Sequence, residues 1–214
     1  TYTITDTVAQ AASWDHENSL LGWTVLSGNE DYRNTGGNGI LSHVEPGPSG
    51  FLQDNSHETF LTASPSFSFN NGLAGTDTAV TLVFSGGDAN GTDAGTPTPF
   101  ATPAALLAAN GGISTASGQK GVSLFNTATG QYDVTLYPVN NSTAAETVTA
   151  TVDGLTALAT AQGGTFDVNA EYQLHFFDTD QGGWGWSQLN SADVAGTTTA
   201  SAAATAVSYT HLTL

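Results

Sequence analysis

The chain has 214 residues, of which 2 are basic and 19 acidic, so that its formal net charge is −17. This balance excludes nucleic-acid binding, which needs Lys and Arg side chains against phosphates, and it also disfavours attraction to an anionic membrane surface. Hydrophobic residues make up 39% of the chain and include 10 Phe, 6 Tyr and 4 Trp, which favours a sizeable core over an acidic disordered tail.

Short runs of β-branched and aromatic residues, separated by turn residues, predict about ten or eleven strands. The run at 79–84 is the most apolar and predicts a central strand, whereas 122–125 and 132–137 enclose a turn and predict a hairpin. Such a series of short strands indicates an all-β fold, a jelly-roll β-sandwich. In chain order the predicted strands are 2–8, 22–27, 39–44, 59–62, 66–69, 79–84, 122–125, 132–137, 146–152, 172–177 and 186–194.

One stretch interrupts the strand pattern, since residues 88–101 are rich in Gly, Ala, Thr, Asp and Pro and lead into a predicted helix. Thr102 has the residue type of an N-cap, Pro103 fits the first helical position, and Gly111 fits the C-terminal stop. We therefore expect one short helix inside a long insertion between strands. Such an insertion is either a functional loop or plain disorder.

The C-terminal part of the chain differs in composition from the rest. Residues 197–206 are small and low in complexity, as in a linker. Residues 207–214 resemble the translation of a transposon-type sequencing adapter, with a genuine short final strand as the alternative. We therefore expect a β-sandwich domain over 1–196, a linker over 197–206 and a non-native tail over 207–214, and a native gene that continues differently after about residue 206. The chain lacks Met, even at position 1, which predicts a removed leader or a fragment.

Three groups of segments carry a family resemblance. They are 50–61 (GFLQDNSHETFL) running into 64–67, then 82–87 (LVFSGG) with 120–124 (KGVSL), and finally 172–178 (YQLHFFD) followed by GGWGW at 182–186. Their order and spacing resemble secreted β-sandwich modules of bacterial surface proteins with a PEP-CTERM sorting tag, and the galactose-binding-like jelly rolls appended to glycoside hydrolases. The resemblance covers roughly residues 20–196. It implies an exported, noncatalytic module that is secreted or held at the cell surface.

Two acidic loops are candidate calcium sites. Asp178 and Asp180 alternate before a glycine turn, and Asp88, Asn90 and Asp93 occupy a second loop. Calcium takes about six to eight oxygen ligands, which carboxylates and amides supply. The alternative is a pair of polar turns, in which Asp bonds its own backbone. No zinc site is predicted, because the chain lacks Cys and its histidines show no HxH or HxxxH spacing.

A pair of tryptophans near the last predicted strand is the candidate ligand-binding feature. Trp184 and Trp186 lie two residues apart and share one face of a strand, whereas Leu189 faces the other side. If Leu189 faces the core, the two indoles can stack on sugar rings, and the Gln188 and Asn190 amides can bond hydroxyls. The alternative is that the indoles close one end of the sandwich, since large aromatic side chains are usually part of a core.

No catalytic signature is present: the sequence lacks a GxSxG elbow, a phosphate-binding glycine loop and a dinucleotide fingerprint. The sequence contains no run of about 18 apolar residues, so that no membrane-spanning helix is predicted. The sequence therefore predicts a noncatalytic surface or accessory module that binds polysaccharide or a cell-surface glycan, with structural calcium. The alternatives are a purely structural or adhesive cell-surface protein without a small ligand, and a divergent glycoside hydrolase.

Overall fold

The computed structural model describes residues 8–15, 22–27, 41–44, 60–69, 73–88, 99–108, 120–138, 145–179 and 185–197. These ranges hold eleven strands and two helices. The strands are β1 (Val8–Asp15), β2 (Thr24–Ser27), β3 (Leu41–Val44), β4 (Phe60–Ala63), β5 (Phe67–Ser68), β6 (Thr78–Asp88), β7 (Lys120–Asn126), β8 (Gln131–Leu136), β9 (Glu146–Thr151), β10 (Glu171–Asp178) and β11 (Gly185–Thr197). The helices are α1 (Pro103–Ala108) and α2 (Val152–Ala161).

The strands form two antiparallel sheets. Sheet A has the order β1-β11-β6-β9, with β3 pairing the first part of β11, and sheet B has the order β2-β4-β10-β7-β8, with β5 pairing the first part of β10. Between the described strands the chain changes sheet at every connection except β4–β5 and β7–β8, as a jelly-roll β-sandwich requires. The predicted fold class is therefore confirmed. The run at 79–84 lies in β6, between β11 and β9, as predicted for a central strand.

The sequence pattern located most strands to within a few residues. The β7–β8 hairpin forms as predicted, with Ser123 opposite Thr135 and a hydrogen bond of 2.8 Å between their hydroxyls. The strand predicted at 2–8 lies outside the described residues except for Val8, where β1 begins. The remainder of β1, up to Asp15, was not predicted, because its alternation of Ala, Gln and Ser gives a weak period-2 signal.

The main core fills the space between the two sheets. Alternate residues of each strand point inward. In β10, Tyr172, Leu174 and Phe176 are fully buried in this core, and Leu82 and Phe84 of β6 face them from sheet A. The core gains specific geometry from aromatic pairs packed edge to face, an arrangement that ring quadrupoles favour.

A tryptophan pair spans the two sheets at one side of this core. Trp14 of β1, in sheet A, packs edge to face on Trp23, which directly precedes β2 of sheet B, with ring centroids 5.6 Å apart. Phe67 of β5 contacts Trp14 in the same way at 5.9 Å. The three rings therefore join the first strand of sheet A to the side of sheet B.

Helix α1 confirms the helix predicted in the insertion. It begins at Pro103, and the backbone N–H of Ala105 donates to the Thr102 hydroxyl at 3.1 Å, so that Thr102 is the N-cap. The predicted stop at Gly111 lies outside the described residues. Neither helix of the described part is long and apolar enough to cross a membrane.

Helix α2 was not predicted. Thr151 caps it by accepting a hydrogen bond of 3.0 Å from the Gly154 N–H, and Leu155 and Ala159 bury one face against the sandwich. The i, i+4 spacing of these two residues is the signal for the helix, but the alternation of Val and Thr in the preceding strand hides it.

Candidate functional site

The residues predicted to bind a sugar lie at the start of β11. The backbones of Trp186 and Gln188 pair with Gly87 and Ser85 of β6. Leu189 is fully buried in the core. Asn190 is half-buried at an irregularity of the β11–β6 register. Trp184 and the side chains of Trp186 and Gln188 lie outside what the structure describes, so their sugar-binding role stays a prediction.

The two acidic loops predicted to hold calcium leave the sandwich at the same end. Asp178 ends β10, Asp88 ends β6, and the backbone of Asp88 pairs with Gly185, the first residue of β11. Asp180, Asn90, Asp93 and the side chain of Asp88 lie outside the described part. Within that part, no group of three or more His, Asp and Glu side chains is placed to hold a metal ion. Calcium binding stays a prediction.

Asp178 lies opposite a lysine on the neighbouring strand. Asp178 pairs in register with Lys120 of β7, which places both side chains on one face of sheet B. Both residues are nearly buried, with exposed fractions of 8% for Asp178 and 5% for Lys120. A calcium ion bound at Asp178 would therefore lie on the same face of sheet B as Lys120.

A second apolar cluster covers the outer face of sheet B, which is the face turned away from sheet A. Its buried members are Leu61, Leu106, Tyr132 and Phe177. Residues 99–108, which we call the strap, lie over this face and contribute Leu106 of α1. The cluster was not predicted, although a signal exists. Phe176 and Phe177 are adjacent in β10, so that each face of the strand carries an aromatic side chain, a pattern typical of a strand that is covered on both sides.

Behind the cluster, His175 forms a buried pair with Tyr132. The Tyr132 hydroxyl lies 2.9 Å from His175 Nδ1, and the Phe125 ring stacks on the imidazole at a centroid distance of 4.6 Å. His175 is only 2% exposed, and desolvation lowers its pKa to about 4. Burial also raises the pKa of Tyr132. Both groups are therefore neutral at neutral pH.

The contacts of His175 fit a proton on Nε2. His175 Nε2 lies 3.5 Å from the Gln173 side-chain oxygen, which can only accept. A proton on Nε2 leaves Nδ1 to accept from the Tyr132 hydroxyl. The hydrogen bond to His175 therefore fixes the orientation of the Tyr132 ring. The low pKa of His175 makes this residue a poor general base at neutral pH.

On the outer edge of sheet B, the end of helix α2 packs against β8. The backbone N–H of Thr135 donates to Gln162 Oε1 at 2.7 Å, and Gln162 Nε2 donates to the Thr135 carbonyl at 2.9 Å. The two residues that follow Gln162, Gly163 and Gly164, each require glycine, for different reasons. Gly163 has a φ of 81°, and a Cβ on Gly164 would lie 2.2 Å from the Asp133 carbonyl oxygen. Only a turn with these residues can approach β8 so closely.

A small pocket lies between the strap and this turn. It has a volume of about 100 Å³, with Phe100 of the strap and Gly163 of the turn among its lining residues. Tyr132, Thr135 and the exposed Gln131 contribute from β8. None of the nine lining residues is Asp, Glu, Lys, Arg or His. Sequence reasoning missed the pocket because its two walls are some sixty residues apart and no motif joins them.

No protein-family model and no curated protein matches the sequence. The jelly-roll assignment follows from the strand order and register of the two sheets. Among solved structures, one similar chain is described as "Family 11 Carbohydrate-Binding Module of cellulosomal cellulase Lic26A-Cel5E of Clostridium thermocellum". It is 10% identical to this chain, with coverage of 91% of this chain and 97% of that chain and a TM-score of 0.36.

Proposed function

We propose that this protein is a noncatalytic carbohydrate-binding module, exported and either secreted or held at the cell surface. The observation that carries the proposal is the uncharged pocket on sheet B, where aromatic rings and an amide meet. Phe100 and Tyr132 supply apolar surface, and the side-chain amide of Gln131 supplies hydrogen-bonding groups. A sugar ring presents an apolar face and a rim of hydroxyls, so that it can use both kinds of contact.

The composition supports export. An acidic chain with few cations stays soluble through self-repulsion, and it has little affinity for nucleic acid or anionic lipid. The resemblance to PEP-CTERM-type surface proteins belongs to the same proposal. So does a structural calcium ion, because two oxygen-rich loops leave one end of the sandwich and the 2 basic residues cannot neutralise 19 acidic ones.

Two surfaces compete for the sugar, and they lie on different sheets. The pocket belongs to the outer face of sheet B, whereas the predicted Trp184–Asn190 segment leads into and begins β11 of sheet A. Substitutions can therefore separate them. Loss of binding in Trp184→Ala or Trp186→Ala assigns the ligand to the β11 segment, and weaker binding in Gln131→Ala assigns it to the pocket.

A glycan array tests the function with the intact chain. Binding to one or a few polysaccharides, without release of reducing sugar from them, is the expected result. Silence across the array would instead favour the structural or adhesive alternative. Steady release of reducing sugar would favour the divergent glycoside hydrolase and overturn the noncatalytic assignment.

A further inference from the structure

The pocket on sheet B is small, and both of its walls are fixed to the same strand. The strap is tied to β8 where the Tyr132 N–H donates to the Ala101 carbonyl at 2.9 Å. The opposite turn is tied to β8 by the two bonds between Gln162 and Thr135. Pockets for drug-sized ligands have volumes of about 300–1,000 Å³. A volume of about 100 Å³ between two anchored walls therefore admits no more than one sugar ring.

The pocket is also electrically neutral. None of its lining residues is acidic or basic, and Tyr132 stays a neutral phenol. The His175 imidazole, which bonds the Tyr132 hydroxyl, is also uncharged at neutral pH. The chain has two basic residues, and one of them, Lys120, is buried on β7. An anionic sugar would lose hydration without gaining a cationic partner, and the net charge of −17 would oppose its approach.

Most polar side chains around the pocket are already engaged. Both ends of the Gln162 amide bond the Thr135 backbone, and the Tyr132 hydroxyl bonds His175. Within the described residues the side-chain amide of Gln131 forms no hydrogen bond, and its residue is exposed at the pocket. Gln131 is therefore the side chain placed to bond a sugar hydroxyl, while Phe100 offers an apolar surface.

From these features, and resting on the proposed carbohydrate binding, we propose that the pocket binds one uncharged sugar residue at the end of a glycan chain. Gln131 is the residue that recognises its hydroxyls. The anchored walls exclude a second ring, so that the remaining sugar units of the chain extend into solvent. The ligand class is accordingly neutral glycans with an accessible terminal residue.

The test is isothermal titration of the intact chain with neutral oligosaccharides from the array hits, in a series of increasing length. Affinity expressed per chain end is expected to change by less than about threefold along the series, because one ring makes the contacts. A hit sugar and the analogue oxidised to its uronate form a matched pair, and the neutral form is expected to bind at least about tenfold more tightly.

Two substitutions complete the test. Gln131→Ala is expected to weaken binding by roughly threefold to tenfold, as for the loss of one hydrogen bond. Asn169→Ala removes an exposed amide outside the pocket and should leave binding unchanged. Because both positions are exposed, neither variant should fail to fold, and equal melting temperatures check this.

The outcomes separate the two proposals. No binding to any glycan would end both of them. Binding that Gln131→Ala leaves intact, or that strengthens steadily with chain length, would overturn the pocket assignment while carbohydrate binding stands. Equal affinity for the neutral sugar and its uronate would overturn the charge selectivity.

Discussion

Gln162 binds the backbone of Thr135 as a neighbouring strand would, since its amide accepts from the Thr135 N–H and donates to the Thr135 carbonyl. Among the described strands β8 pairs on one side only, with β7, so that this amide satisfies polar groups on a sheet edge. Exposed edges are sites where another chain can pair. Gln162, which follows helix α2, thus occupies the backbone groups of Thr135 that another strand could otherwise pair with.

Replacing Gln162 with Ala leaves the Thr135 N–H and carbonyl without these partners. We expect the free energy of unfolding to fall by about 1–3 kcal/mol, the usual effect of losing partners for partly buried polar groups. For a chain of this size, Tm should fall by roughly 2–4 °C per kcal/mol. Chemical denaturation monitored by circular dichroism measures the change.

The matched control for that variant is Thr160→Ala on the exposed side of the same helix. The Thr160 hydroxyl bonds only the Thr156 carbonyl one turn earlier, so its loss should shift stability by no more than about 0.5 kcal/mol. If Gln162→Ala were as stable as Thr160→Ala, the amide would not stabilise the edge of β8.

Leu106 anchors the strap. Its side chain is fully buried among Leu61, Tyr132 and Phe177, although α1 has only six residues. Leu106→Ala should therefore lower the free energy of unfolding by about 2–5 kcal/mol and speed proteolytic cleavage of residues 99–108. Ala105→Ser, at an exposed position of the same helix, is the control. Equal melting temperatures and cleavage rates in the two variants would contradict an anchoring role.

The buried His175 makes stability depend on pH. Its pKa is lowered to about 4 in the folded chain, whereas an unfolded histidine has a pKa of about 6.5. Well above pH 6.5 both states are neutral at this group. As the pH falls from 6.5 towards 4, the unfolded state takes up the proton first, so that the folded state loses up to about 3 kcal/mol of relative stability.

His175→Gln removes this titration and keeps an acceptor for Tyr132. Urea unfolding of both proteins across the pH range should show a stability difference that is constant above pH 6.5. Below that pH the wild type should lose stability faster than the variant. Parallel curves between pH 6.5 and 4 would show that His175 is not shielded from solvent as the structure indicates.

The calcium hypothesis predicts a stabilising effect of the ion at constant ionic strength. A ligand present at roughly 100 times its Kd adds about 2.7 kcal/mol to the free energy of unfolding. Asp180→Asn should abolish the rise in Tm, while Asp167→Asn, which removes an exposed charge away from both loops, should keep it. A wild-type Tm that calcium leaves unchanged would remove the hypothesis.

Most strands and helix α1 were predictable because their signals are local. Alternation in the runs at 122–125 and 132–137 and the cap at Thr102 each follow from neighbouring residues, and β7, β8 and α1 form there. Helix α2 was not predicted, because its apolar signal is confined to Leu155 and Ala159. The strand pattern of β9 also runs directly into it. Short elements with one buried stripe give little signal of their own.

The pocket could not be predicted, because long-range contacts create it. The strap reaches β8 through the Ala101 carbonyl, and Gln162 reaches it from the far side through a side-chain amide. Neither contact has a sequence spacing that a motif would record. The candidate residues from sequence, such as Trp184 and Asp180, rest instead on residue type and short spacing, and they lie outside the described part of the chain.

The contact between Trp14 and Trp23 gives this protein an intrinsic spectroscopic probe of the separation between the two sheets. One indole belongs to sheet A and the other borders sheet B, so their rings at 5.6 Å couple electronically only while the two layers stay closed. Near-ultraviolet circular dichroism of this pair would therefore report opening of the layers without an added label. With Trp184 and Trp186 replaced by Phe, tryptophan fluorescence would come from Trp14 and Trp23 alone, because the chain has 4 Trp.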